Sequence, residues 1–121
     1  KKKSFYKNFI KNKKKLKNFK FYNLSSSDFF KKNNKNKFDI IYIDGAHDKN
    51  SVFNDAKESF KVLNKNGILI FDDMLYDYKN NNDKNKYIES DFVIGGILLF
   101  LSNFRKTEIL YAGHQLIVRK K

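Results

Sequence analysis

Three aspartates and one histidine carry most of the chemistry this sequence offers. Asp44 ends the apolar run Phe38–Ile43, and Asp72 and Asp73 end a second run, Ile68–Phe71. Carboxylates gathered at one edge repel each other and lose hydration, so they call for a compensating cation. Oxygen ligands in a chain without cysteine suit Mg²⁺ or another hard divalent ion. The plainer alternative leaves one aspartate capping a helix and the others in solvent. His47 lies three residues past Asp44 on the same loop. An imidazole titrating near pH ~6.5 suits a general base, although a surface loop histidine has the same spacing. His114 falls in a turn between two short strands and reads as a surface residue.

These residues need a frame that brings them to one edge. Phe38–Ile43 is nearly continuously apolar, as a parallel strand covered on both faces requires. Val52, Phe53, Ala56, Phe60 and Leu63 follow at helical spacing, with Asn50 or Ser51 as the cap and Gly67 just beyond the end. Ile68–Phe71 is then the next strand. Two strands joined by one helix make a right-handed βαβ unit, and such sheets bind ligands outside the carboxyl ends of their strands. Asp44, Asp72 and Asp73 stand at those ends.

The rest of the chain divides by pattern. Residues 1–18 read as a Lys-rich helix with Phe5, Phe9, Ile10 and Leu16 as its sparse apolar side. Phe19–Leu24 alternates and is aromatic, so it reads as a strand. Ser25–Asp28 offers a turn or a helix cap before Phe29 and Phe30. Residues 77–87 form a polar loop. A helix from about Ile88 to Phe104 follows, although each glycine of the pair Gly95–Gly96 costs it ~1 kcal/mol relative to alanine. Glu108–Tyr111 and Gln115–Arg119 read as a closing antiparallel pair around Ala112-Gly113-His114.

Composition narrows the class. The chain has 121 residues, one domain's worth, and a formal net charge of +13. All of that excess lies in residues 1–38, and residues 39–121 are neutral. Only two of the 26 basic residues are arginine, whose bidentate fork suits phosphate and base recognition. The lysines alternate with asparagines and read as solvated surface. A basic nucleic-acid-binding module, using the lysines and the many aromatics, is the second reading. No apolar run approaches the ~18 residues of a membrane-spanning helix, and no apolar segment follows the first lysines as a secretory signal would have. With no cysteine, a reducing cytoplasm is the default compartment.

The residues Phe38-Asp39-Ile40-Ile41-Tyr42-Ile43-Asp44-Gly45-Ala46-His47, then Leu63-Asn64-Lys65-Asn66-Gly67 and Ile68-Leu69-Ile70-Phe71-Asp72-Asp73, resemble class I S-adenosylmethionine-dependent methyltransferases. The likeness is to the metal-dependent group related to macrolide sugar O-methyltransferases, and it spans roughly residues 19–121. The ending Tyr111–Lys120 looks like that group's terminus. The resemblance implies an α/β, Rossmann-like sheet, here strands three to seven, mostly parallel with a closing antiparallel pair.

It also implies roles. Asp44, Asp72 and Asp73 match the Mg²⁺ ligands of metal-dependent members, and Asp44 also lies in the cofactor region. His47 stands where such relatives carry a catalytic lysine. Ser26, Ser27 and Asp28 follow the third strand, where the family contacts the adenine of S-adenosylmethionine. The acceptor would be a hydroxyl of a small molecule or sugar. The family's glycine-rich cofactor loop and its acidic ribose ligand have no counterpart here. A partial domain over residues 1–121, lacking its first two strands, is therefore the expectation. Such a chain would bind S-adenosylmethionine poorly by itself, and an inactive fragment is a third reading.

Overall fold

The computed structural model describes residue 11, residues 18–75 and residues 91–121. The expected helix over residues 1–18, apart from Lys11 and Asn18, and the expected loop over 77–87 lie outside them. So does the first part of the helix expected from Ile88.

Ser25 caps the first helix, α1 (Ser26–Asn33), accepting a hydrogen bond from the Asp28 N–H at 3.1 Å. The strand β1 (Phe38–Ile43) follows, then α2 (Lys49–Val62). The cap of α2 is Asp48, not Asn50 or Ser51. Its carboxylate accepts from the Ser51 N–H at 3.0 Å, and hydrogen bonds from the Ser51 side chain first, then from its backbone, hold its carboxyl below the ordinary range. Val52, Ala56 and Phe60 recur every fourth residue and form the buried stripe of α2.

Strand β2 (Leu63–Phe71) begins directly at the end of α2. Its pairing with β1 jumps between Phe38↔Leu63 and Ile40↔Ile68, so Asn64–Gly67 bulges out of the ladder. Asn66 takes the left-handed turn conformation at φ 64°, a position the sequence had pointed to Gly67 for. Gly67 is needed for another reason: a Cβ there would sit 2.8 Å from the Asn64 carbonyl oxygen and the Leu63 side chain.

Helix α3 (Val93–Asn103) and the hairpin β3 (Thr107–Ala112) and β4 (Leu116–Lys120) complete the described chain. The sheet order is β1-β2-β4-β3. The β1/β2 pair is parallel, whereas β4 runs antiparallel to both β2 and β3. The sheet is thus a four-stranded mixture, and the expected five-strand, mostly parallel arrangement is corrected among the described residues.

The missing strand is Phe19–Leu24, which joins no ladder. A strand needs a neighbour for its N–H and C=O groups, and no described strand flanks the outer edge of β1. The segment leans instead on α1, through a Tyr22–Phe29 edge contact at 5.1 Å.

Helices α2 and α3 cover one face of the sheet. Ile43, Leu69, Phe71, Leu116 and Val118 point into that layer and meet Val52, Ala56, Phe60, Val93, Ile97 and Phe100. Phe100 is fully buried, with ring centroids of Phe60 and Phe71 both 5.5 Å away. On the other face Ile40 is 64% exposed and Tyr42 49%. Cover on both faces of β1 is therefore not found among the described residues.

Gly96 lets the two helices touch. A Cβ there would lie 2.6 Å from the Lys49 carbonyl oxygen and 2.7 Å from Val52 Cβ. The glycine that weakens α3 as a helix is what lets it pack.

Candidate functional site

Two strand ends and one hairpin turn meet at the edge carrying the aspartates. The Asp72 N–H donates to the Ile43 carbonyl at 2.9 Å, so the parallel ladder runs one residue past β2 and sets Asp44 and Asp72 at the same end. Two residues later, the Met74 N–H donates to the His114 carbonyl at 2.9 Å. Asp73 is held between these two backbone bonds. Its φ of 49° is left-handed, a conformation that aspartate tolerates better than most residues and that clusters at functional sites.

This clamp puts the Asp73 carboxylate between two imidazoles. Its Oδ2 lies 3.4 Å from His47 Nε2, and its Oδ1 lies 3.2 Å from His114 Nε2. The His47 side chain is 27% exposed and that of His114 is 72% exposed. A carboxylate facing an imidazole nitrogen fixes the ring's orientation. The loop between β1 and α2 delivers His47, and the Asp48 cap fixes where that loop ends. A small crevice lined by Asp44, Gly45, His47 and Asp72 opens beside it.

Asp72 is engaged differently. Its Oδ1 accepts from Gln115 Nε2 at 3.0 Å, and the same amide nitrogen lies 2.9 Å from the Tyr42 hydroxyl. The Tyr42 hydroxyl also hydrogen-bonds the Asp72 carboxylate, which pushes the phenol up to about 12. The same bond, with that of Gln115, holds the Asp72 carboxyl below its ordinary range. Asp72 is therefore an anchored anion, oriented from β1 and β4 together.

The aspartates meet the histidines more closely than they meet each other as a trio. Ligand atoms of Asp44, His47 and Asp73 lie within 4.8 Å of one another, and so do those of Asp72, Asp73 and His114. Asp44, Asp72 and Asp73 are not gathered into one oxygen-only set among the described residues. The donors in these two groups are mixed imidazole and carboxylate.

Ser26, Ser27 and Asp28 stay apart from this cluster. They form the exposed first turn of α1, where Asp28 Oδ2 accepts from the Ser25 hydroxyl at 2.8 Å. Ser27 also lines a groove of about 590 Å³ between α1 and α2, with Phe30, Asn54 and Asp55 among its walls. Exposed hydroxyls and a carboxylate give this turn both hydrogen-bond donors and acceptors.

Sequence reasoning left three participants out: His114, Tyr42 and Gln115. One signal was available for His114. If β4 lies antiparallel beside β2, the turn before β4 must fall next to the residues after β2, as the Phe71↔Leu116 register shows.

No described helix is long and apolar enough to cross a membrane. In comparison with known proteins, a family model described as a methyltransferase domain matches residues 3–74. The match covers more than half of the chain and includes Asp44, His47, Asp72 and Asp73. No curated protein matches the chain significantly.

Proposed function

The chain belongs to the methyltransferase domain family, and we propose that it forms the catalytic edge of an S-adenosylmethionine-dependent O-methyltransferase acting on a small-molecule or sugar hydroxyl. On this reading β1 and β2 are the fourth and fifth strands of the family sheet, and β3 and β4 the sixth and seventh. The observation that carries it is the His47–Asp73 pair, at the carboxyl ends of the two parallel strands.

When bound, S-adenosylmethionine supplies a sulfonium-activated methyl group, whose C–S bond breaks as the acceptor's C–O bond forms. The first turn of α1, with Ser26, Ser27 and Asp28, would hold its adenine. Asp73 holds His47 by Nε2 and stabilises the imidazolium that forms. His47 then takes the acceptor's hydroxyl proton. Asp44 lies beside the base, with a ligand atom within 4.8 Å of those of His47 and Asp73. Asp72, locked by Tyr42 and Gln115, keeps the strand ends in register so that this geometry persists.

The test is product analysis with the full-length protein and labelled S-adenosylmethionine, over sugar, phenol and aliphatic alcohol acceptors. The reading requires a methyl ether as product. Transfer to nitrogen or carbon acceptors alone contradicts it.

A further inference from the structure

A carboxylate with one partner turns easily about its Cβ–Cγ bond, because that torsion is broad and nearly two-fold. The pairing with the base leaves little room for such turning. Asp73 Oδ2 lies 3.4 Å from His47 Nε2, already beyond the usual ~3 Å of a close nitrogen–oxygen hydrogen bond. His114 occupies the other oxygen, its Nε2 facing Asp73 Oδ1 at 3.2 Å. With an imidazole on each oxygen, rotation of the carboxylate in either direction breaks a contact.

His114 is itself held by the turn that carries it. Its backbone carbonyl accepts from the N–H of Met74, the residue after Asp73, at 2.9 Å. The Gly113 N–H donates to the Gln115 carbonyl at 2.9 Å and closes the turn. Tyr111 lies across Gly113, so a Cβ there would run into the phenol ring and its hydroxyl. The His114 ring therefore reaches Asp73 from a fixed backbone.

We propose that His114 is a positioning residue: by occupying Asp73 Oδ1 it holds Oδ2 on His47 and keeps the base aimed. The inference rests on the reading of His47 as the base. It acts through Asp73 and not on donor or acceptor. The His114 side chain is 72% exposed, so water competes for the contact and the effect stays well below that of removing the base.

The test uses the full-length protein, labelled S-adenosylmethionine and whichever sugar, phenol or aliphatic alcohol acceptor yields a methyl ether. His114→Leu removes the nitrogen, whereas His114→Gln supplies an amide nitrogen in its place. His114→Leu should lower kcat about three- to fivefold, as an exposed charged contact allows, with both KM values within about twofold. His114→Gln should recover most of that loss. In an Asp73→Asn background, His114→Leu should change kcat by less than about one-and-a-half-fold, because the residue it acts through is already disabled. A role confined to folding would add to the Asp73→Asn loss instead. The ring NMR signals of His47, assigned by their loss in His47→Ala, need no turnover. His114→Leu should move them toward their positions in Asp73→Asn.

Unmoved His47 signals in His114→Leu overturn the assignment. So does an unchanged kcat in His114→Leu where His47→Ala is slow, a loss that adds in full to that of Asp73→Asn, or a loss that His114→Gln fails to relieve. If His47→Ala transfers methyl normally while His114→Leu still moves the His47 signals, the coupling stands and the base reading fails.

Discussion

Asp73 Oδ2 lies 3.4 Å from His47 Nε2, although the two residues come from loops that follow different strands. Parallel pairing of β1 with β2 makes the contact possible, because it sends both strand ends to one edge. The left-handed backbone of Asp73 completes it. On the other oxygen, His114 balances the arrangement. A single carboxylate thus ties the β1–α2 loop to the β3–β4 turn.

Replacing Asp73 by asparagine keeps the shape and removes the charge that favours imidazolium. Methyl transfer by Asp73→Asn should fall by about 10²-fold or more, within the range that general-base effects span. Steady-state kinetics at saturating donor give the check. A kcat near wild type shows that His47 needs no anionic partner.

Tyr42 should be the last of the described tyrosines to ionise, with a midpoint of about 12. Spectrophotometric titration of wild type against Tyr42→Phe isolates that phase, and Asp72→Asn should move it down toward the ordinary phenol range. The acid side has its own sign. Asp72 has a folded pKa below its unfolded value, so its contribution is complete above the ordinary carboxylate pKa of ~3.9 and is lost as pH falls through the lower folded value. Asp72→Asn should therefore flatten the acid limb of the stability profile and leave its slope near neutrality unchanged.

Gly96→Ala should destabilise the fold by about 1–3 kcal/mol, because the new methyl meets the Lys49 carbonyl and Val52 at the α2–α3 contact. Helix propensity alone predicts the opposite, a gain of ~1 kcal/mol. Chemical denaturation decides between packing and propensity by the sign of the change.

Lys120 closes the sheet onto the end of α2. Its Nζ donates to the carbonyls of Phe60 at 2.6 Å and Leu63 at 2.8 Å, and it sits 4.6 Å from the Phe60 ring centroid. Lys120→Met keeps most of the stem and removes the donors, which should cost about 1–3 kcal/mol for hydrogen bonds from a charged group. A thermal melt unchanged from wild type means that water replaces the lysine at no cost.

The edge carrying the aspartates was readable because its elements are local. The apolar run Phe38–Ile43, the helical spacing of Val52, Ala56 and Phe60, and the run Ile68–Phe71 each announce themselves within a short window. Parallel pairing of the two runs then places Asp44, Asp72 and Asp73 at one end. The hairpin was legible for the same reason, to within one residue at each of its four strand ends.

What sequence could not give depends on distant partners. Phe19–Leu24 has strand chemistry and no described neighbour to pair with. Ile40 and Tyr42 look like interior positions because the run is apolar, yet the described residues cover one face only. His114 looked like a loose turn residue until the β2–β4 register brought it to Asp73. The Tyr42–Asp72–Gln115 bonds join three strands' worth of sequence, so no local pattern encodes them.

The central claim is that His47 is the base of a hydroxyl methyl transfer. The most direct measurement compares wild type and His47→Ala in the full-length protein, with labelled S-adenosylmethionine and the acceptor that yields a methyl ether. The account predicts a kcat about 10²–10⁴-fold lower, with donor affinity within about twofold of wild type. Undiminished transfer by His47→Ala would contradict it.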